Sequence, residues 1–168
     1  MKNGIKLVCM REVSLKILSV LLILIVLSFG QEEDSILKTP LTKKLEKYNV
    51  SIGVVGIEKL KERFKRAYDL LVKHHGEPSK YDTHHLAVSL WKEEGGKVMY
   101  LSNYKVEAEV RSPLLRSQRK VLTKYPHQQG DNYGEWFQMN DKGLYSITIY
   151  ITEEKGKTKK VQFDYLQQ

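Results

Sequence analysis

The sequence predicts a mainly β protein, an antiparallel β-sandwich of about seven strands with one helix inserted after the first strand. Two observations carry this prediction. Short runs rich in β-branched and aromatic residues, separated by turn residues, recur from residue 80 to the end of the chain. A single stretch near the start of that series has apolar residues at helical spacing instead.

The first strand and the helix are predicted at 48–56 and 57–75. The stretch YNVSIGVVG at 48–56 is rich in β-branched residues and ends in glycine. Apolar residues at helical spacing follow it: Ile57, Leu60, Phe64, Ala67, Tyr68 and Leu71. This pattern predicts one amphipathic helix of about five turns. Gly76 is its expected C-terminal stop, and Pro78 follows.

The remaining strands are expected within residues 80–168. The candidate stretches are 85–91, 98–113, 118–125, 133–139, 144–151 and 159–166. In the second of them Val106, Ala108 and Val110 alternate with charged residues, which is typical of a strand with one buried face. Residues 48–168 are therefore predicted to form a single domain.

The turn DKGLY at 141–145 refines the fold class. Asp141, Gly143 and Tyr145 have the D-x-G-x-Y spacing of a tyrosine corner, in which the tyrosine hydroxyl bonds to backbone just upstream. Antibody domains have a cysteine two residues after that tyrosine, whereas this chain has Ile147. The prediction is an immunoglobulin-like sandwich without a disulfide.

Residues 1–30 read as an export signal. Basic residues precede an apolar run of 13 residues at 17–29, which is shorter than the ~20 that a membrane-spanning helix needs. Ser28 and Gly30 place small residues where a signal peptidase cleaves, so residues 31–47 would become an exposed lead-in. The domain is expected in the periplasm or outside the cell; the alternative is a membrane anchor formed by an uncleaved N-terminal segment.

Composition narrows the function classes. The chain has a formal net charge of +8, but residues 1–30 hold four bases and one acid, which leaves 24 basic and 19 acidic residues. This modest charge and the expected export argue against nucleic acid as a partner. The one cysteine, Cys9, precedes the apolar run and would leave with the signal. The remaining chain would then have neither a disulfide nor a thiolate nucleophile.

Catalytic motifs are not found in the sequence. It lacks a G-x-S-x-G elbow, an H-E-x-x-H zinc motif, a P-loop and a dinucleotide fingerprint, so no enzyme activity is expected. Aromatic residues could instead form a carbohydrate-stacking platform, although a sandwich core and its rim also explain them: Trp91, Tyr100, Tyr104, Tyr133 and Trp136.

The five histidines carry the functional prediction. Adjacent residues point about 100° apart on a helix and to opposite faces on a strand, so the pairs at 74–75 and 84–85 each supply at most one ligand. The predicted metal site uses His84 or His85 with His127, for copper, iron or zinc. A third ligand could come from His74 or His75. That pair lies in the last helical turn, however, where the helix dipole favours cations and accounts for it without a metal. Candidates to complete a site are Asp82, Glu135 and Met139.

Residues 83–165 resemble exported bacterial immunoglobulin-like domains of the FixH/YtkA type and the periplasmic iron-transport-protein family. The resemblance rests on the strand-opening histidine of THHLAVSLW, on NYG at 132–134 after a polar loop with His127, and on the KGLY turn. It implies a small β-sandwich that assists copper or iron handling and does not catalyse a reaction. The helix at 57–75 is not part of that pattern.

Two functions follow as expectations. The first is an exported domain that binds a transition metal, or serves a metal-handling partner, through His84, His85 and His127. The second is a metal-free adhesion or envelope-assembly module, which would use an exposed sheet face or the basic edge RSQRKVLTK at 116–124 to bind a protein partner in the cell envelope.

Overall fold

The computed structural model describes residues 41–128, 130–153 and 156–168. The predicted signal at 1–30 lies outside the described residues, as does most of the predicted lead-in. Pro40–Gln168 forms one compact unit. None of the helices in the described ranges is long and apolar enough to span a membrane.

The described part of the chain forms ten strands and two helices. The strands are β1 (Leu41–Leu45), β2 (Tyr48–Gly56), β3 (His84–Glu94), β4 (Lys97–Tyr100), β5 (Lys105–Arg111), β6 (Ser117–Val121), β7 (Thr123–His127), β8 (Gly130–Phe137), β9 (Gly143–Thr152) and β10 (Thr158–Gln167). The helices α1 (Ile57–Arg63) and α2 (Lys65–His75) lie between β2 and β3. The predicted mainly β fold, with its helical insertion after the strand at 48–56, is confirmed.

Two antiparallel sheets form the sandwich. The six-stranded sheet has the order β1-β2-β3-β8-β7, and β4 pairs with the second half of β3. The four-stranded sheet has the order β10-β9-β5-β6. Two predicted strand stretches are divided because the chain passes from one sheet to the other after β4 and again after β6. The third additional strand, β1, lies inside the predicted lead-in and pairs with β2.

The main core lies between the two sheets. Alternate residues of the central strands are fully buried in it, such as Leu86, Val88 and Leu90 of β3 and Ile147 and Ile149 of β9. This is the two-residue period that a strand with one buried face requires. The opposite face of β3 is therefore the outer face of the six-stranded sheet.

The two helices pack near that outer face. The predicted single helix is interrupted at Phe64, whose backbone leaves the helical region with φ −131° and ψ 46°. The start of α2 at Phe64 has no side-chain cap, and the Phe64 N–H donates to the Leu60 carbonyl oxygen at the end of α1. A second cluster joins the helices to the sheet: Ile57, Leu60, Leu71, Tyr125 and Trp136 are buried in it, and Val55, Phe64, Tyr68 and Val72 pack against them.

Tyr145 has the hydrogen bond of a tyrosine corner. The backbone N–H of Asp141 donates to the Tyr145 hydroxyl at 2.9 Å, and the tyrosine is 1% exposed. Gly143 has φ +125°, and a side chain there would meet the ring of Pro113. The corner fixes the segment 138–142, through which the chain crosses from β8 to β9 and so from one sheet to the other.

Replacing Tyr145 with phenylalanine is expected to reduce the free energy of unfolding by about 1 kcal/mol. The change leaves the Asp141 N–H without its acceptor and keeps the buried ring. Urea unfolding measures the effect. Tyr165→Phe is the matched control, because the Tyr165 hydroxyl donates to the side chain of Gln167, two residues away, at 3.2 Å. An equal decrease in the free energy of unfolding in both variants would contradict the role assigned to the tyrosine corner.

Candidate functional site: a buried histidine pair

His85 lies on the outer face of the six-stranded sheet and is nevertheless buried. It alternates with Leu86, which belongs to the main core, so its ring points to the opposite side, toward the helices. Its side chain is 2% exposed. In the register of the sheet it lies between Val55 of β2 and Trp136 of β8.

The ring of His75 stacks on that of His85. The two centroids are 5.2 Å apart, and the ring planes are inclined by 28°. His75 is the last residue of α2, so the pair joins the end of a helix to the centre of a sheet. Trp136 and Tyr125 each contact both imidazoles in edge-to-face arrangements, with centroid distances between 5.0 and 6.0 Å.

Gly134 makes room for the His85 ring. It lies on β8 beside Ala87 of β3, with Gly53 of β2 on the other side of Ala87, next to the row that contains His85. A Cβ atom at Gly134 would lie 2.6 Å from His85 Nε2 and 2.8 Å from its Cε1. The imidazole therefore occupies the space that a side chain at 134 would fill.

Three ring nitrogens of this pair are buried without a hydrogen-bond partner among the described residues: both nitrogens of His75 and Nε2 of His85. A buried polar atom without a partner costs roughly 1–3 kcal/mol, and most such atoms in folded proteins are paired with protein or water. Three of them in two adjacent rings identify a place where a ligand could supply the missing interaction.

Burial keeps both imidazoles neutral. Burial, with a smaller contribution from the neighbouring His75, lowers the pKa of His85 to about 3. Burial likewise lowers the pKa of His75 to about 4, with a smaller contribution from His74. At neutral pH each ring therefore retains a nitrogen lone pair, which is the form of histidine that binds a metal ion.

His84 and His127 do not join the pair. His84 follows the opposite parity of β3 and lies beside Phe137 in the register, and its Nδ1 is 3.0 Å from the Thr83 hydroxyl. Burial lowers the pKa of His84 as well. His127 is exposed at the end of β7 and pairs with Gly130, six residues along β8 from Trp136. Six residues of strand span about 20 Å, so one ion cannot bridge His127 with His84 or His85.

The residues expected to complete a metal site also lie elsewhere. Asp82 accepts a bond from Lys120 at 3.2 Å, and Glu135 accepts one from the Trp136 N–H at 2.9 Å. Burial raises the pKa of Glu135, and Met139 is enclosed in the main core. Among the residues described, no three or more His, Cys, Asp and Glu side chains are close enough to hold one ion.

From the sequence, a site could combine one histidine of the pair at 74–75 with one of the pair at 84–85, but the first pair was attributed to the end of the helix and left out of the predicted metal site. The structure confirms the helix end and adds the contact with the sheet. A signal for that contact was present, because the helical spacing of Phe64, Tyr68 and Leu71 continues to His75. The histidine therefore lies on the packed side of α2.

The fold resembles solved structures of bacterial proteins at low sequence identity. FetP of uropathogenic E. coli strain F11 is 13% identical, with a TM-score of 0.55 over 75% of this chain and 91% of that chain. The copper-reconstituted P19 protein of Campylobacter jejuni is also 13% identical, with a TM-score of 0.54 over 74% and 91%. A DUF4426 family protein of Pseudomonas aeruginosa PAO1 is 10% identical, with a TM-score of 0.52 over 75% and 94%.

These similarities establish the fold shared with the three proteins. No protein-family model matches the chain, and no curated protein matches it. The likeness to FetP and P19 supports the predicted β-sandwich, and none of the three structures named above is of the FixH/YtkA type.

Proposed function

We propose that this chain is a non-catalytic, exported immunoglobulin-like domain that binds a transition-metal ion through His75 and His85 and serves metal handling in the periplasm. The observation that carries the proposal is the set of three buried ring nitrogens without a partner. Neutral imidazole nitrogen is a ligand for copper, zinc and iron. An ion bound by these nitrogens would supply the interaction that the protein itself does not give them.

The likeness in fold supports copper as the first metal to test. Two of the similar structures are copper-bound forms of FetP and P19, and FetP was produced in the periplasm. The predicted export signal agrees with that location. Zinc and iron have weaker support, because structural zinc sites use four ligands and non-haem iron sites include a carboxylate. The histidine pair offers two nitrogens and no carboxylate.

Metal titration of the domain 31–168, which contains the compact unit Pro40–Gln168, tests this function. Copper, zinc and iron salts are added while binding is followed by calorimetry or competition with a chelator. His75→Ala and His85→Phe are each expected to weaken binding at least tenfold, since each removes one of two ligands.

His74→Ala and His127→Ala are the controls, because His74 adjoins His75 on the helix and His127 lies about 20 Å along the sheet. Both are expected to bind metal as the parent does. Binding that is indifferent to His75 and His85, or that depends on His127, would refute the proposal.

The exposed edges of the sandwich favour an interaction module as the second candidate. The basic stretch at 116–124 contributes to β6 and β7, which are the edge strands of the two sheets. Edge strands present unpaired backbone groups to which a partner can add a strand. Lys124→Glu would weaken such binding and leave metal affinity unchanged, which separates the two functions.

A further inference from the structure

Beyond metal binding, we propose that the hairpin between β5 and β6 docks on a lipid bilayer with anionic headgroups. Its tip, residues 112–116, has the sequence SPLLR and exposes Leu114 and Leu115. Three features lead to this proposal: the exposure of the two leucines, the backbone that presents them, and the charge and shape of their surroundings. None of these features involves the histidine pair.

The tip has the most exposed large apolar side chains of the residues described. Leu115 is 69% exposed and Leu114 is 65% exposed. The apolar surface continues beside them, because Leu144 of β9 and Leu166 of β10 pair in the register and are 58% and 61% exposed. Leu144 directly follows a glycine that adjoins the Pro113 ring. Single exposed leucines are ordinary on a protein surface, whereas a group of them indicates a contact site.

The backbone conformation at Leu115 is one that glycine usually adopts. The Leu115 N–H donates to the Ser112 carbonyl oxygen at 2.9 Å, which closes a turn with Pro113 at its second position. In a three-residue hairpin loop of this kind the third residue is left-handed and is usually glycine. Leu115 has φ +63° there. This conformation is unfavourable for leucine, and a side chain so exposed regains little by packing, which argues for a role in binding.

The charges near the tip favour an anionic surface. Residues 111–117 include two arginines and no acid. Arg111 and Lys142 are both exposed. Of the two acids nearby, Asp141 accepts two hydrogen bonds from Arg116 and Asp164 lies on β10, so positive charge is in excess. Basic residues beside exposed leucines match a bilayer, in which anionic headgroups cover an apolar interior.

The shape of the tip favours a bilayer over a protein partner. The outermost backbone bond of the hairpin runs from the Ser112 N–H to the Arg116 carbonyl oxygen at 2.8 Å, so residues 113–115 form its projecting end. A protein would need a cavity that matches the two leucines of this projection. Lipid chains instead rearrange around an inserted side chain, and the headgroups above them bind the nearby cations.

Co-sedimentation with lipid vesicles tests this docking site. The domain 31–168 is used with a chelator present, because the apolar run at 17–29 would bind lipid by itself. Two leucines bury less apolar surface than a myristoyl chain, whose partition constant is about 10⁴ M⁻¹, so about 5 mM lipid is supplied. We expect binding to vesicles of phosphatidylglycerol and phosphatidylcholine, and roughly tenfold weaker binding to phosphatidylcholine alone.

Variants of the leucines and of the cations test the two parts of the contact. The double variant Leu114→Ser/Leu115→Ser is expected to bind the mixed vesicles roughly tenfold more weakly than the parent. Val98→Ser is its control, since Val98 is 54% exposed on β4. Arg111→Gln combined with Lys142→Gln is expected to weaken binding to the mixed vesicles roughly tenfold and to change binding to phosphatidylcholine little.

Leu115→Gly separates a role in binding from a role in the fold. Glycine adopts a φ near +63° without strain, so the urea concentration at the midpoint of unfolding is expected to stay the same or rise. Binding to the mixed vesicles is expected to fall roughly threefold. A lower midpoint would show that the fold needs this leucine and would contradict the proposal.

Three other results would overturn the proposal. The first is no binding to the mixed vesicles at this lipid concentration. The second is binding that is equal in the parent and in the double leucine variant, since the leucines would then not enter the bilayer. The third is self-association of the parent without lipid that the leucine variant lacks, because the tip would then be a contact between copies of this chain.

Discussion

Lowering the pH from 7.5 to 5 is expected to destabilise the metal-free domain by about 2 kcal/mol through His85 alone. Burial lowers the pKa of His85 to about 3 in the folded protein, while the unfolded chain has the ordinary value of 6.5. Below pH 6.5 the unfolded state therefore takes up a proton that the folded state does not. Stability is complete above about pH 6.5, falls as the pH drops toward 3, and levels off below that.

His75 also makes the domain less stable at low pH, because its pKa is lowered in the folded state as well, to about 4. Its contribution is smaller than that of His85, since the residue is only partly buried and solvent screens it. Urea unfolding at pH 7.5, 6.5, 5.5 and 5.0 with a chelator present measures the combined effect. The range stays above the ordinary pKa values of carboxyl groups.

Two variants show whether the histidine pair is responsible. His85→Phe cannot be protonated and is expected to remove at least half of the loss between pH 7.5 and 5. His127→Ala, which changes an exposed residue of β7, is expected to retain the full loss. A domain that is equally stable at both pH values would contradict the assignment of a neutral, buried pair.

Gly134→Ala is expected to destabilise the domain by about 1–3 kcal/mol and to abolish tight metal binding. The new Cβ atom would lie 2.6 Å from His85 Nε2 and 3.0 Å from the Leu86 carbonyl oxygen, so either the ring or the strand must move. The ring is in contact with His75, Tyr125 and Trp136, which would have to shift if it moved.

Gly53→Ala provides a control in the same row of the sheet. Gly53 and Gly134 flank Ala87 from either side, but a Cβ atom at Gly53 would meet nothing within 4 Å. Alanine there is expected to change the free energy of unfolding by less than about 0.5 kcal/mol and to leave metal affinity intact. Similar effects of the two substitutions would show that the space beside His85 is not the cause. Circular dichroism and urea unfolding with metal titration measure both variants.

The fold class could be predicted because most strands have a local sequence pattern, such as alternating apolar residues or a preceding turn motif. The alternation of Val106, Ala108 and Val110 and the turn before Tyr145 each depend on a few neighbouring residues. The division of residues 98–113 into β4 and β5 was missed, because a change of sheet depends on which strand each half pairs with. Pairing partners such as β3 and β8 are far apart in the chain and leave no local signal.

The site was predicted in part. The rule that neighbours on a strand face opposite sides correctly separated His84 from His85, since one shares the parity of the main core and the other faces the helices. His75 was left out because its role depends on how α2 packs against the sheet. His127 was included because the sequence placed it in a polar loop, whereas it lies at the end of β7, and the register of β7 and β8 puts it far from His85.

The register between β3 and β8 also determines when the site comes into existence. His85 meets Trp136 only after strands from distant parts of the chain have paired, and pairing of this kind is the slow part of folding for β proteins. The helix that carries His75 depends on local contacts and can form earlier. A newly synthesised, still unfolded chain would therefore have no enclosed imidazole pair, and the proposed metal binding would require completion of the sheet.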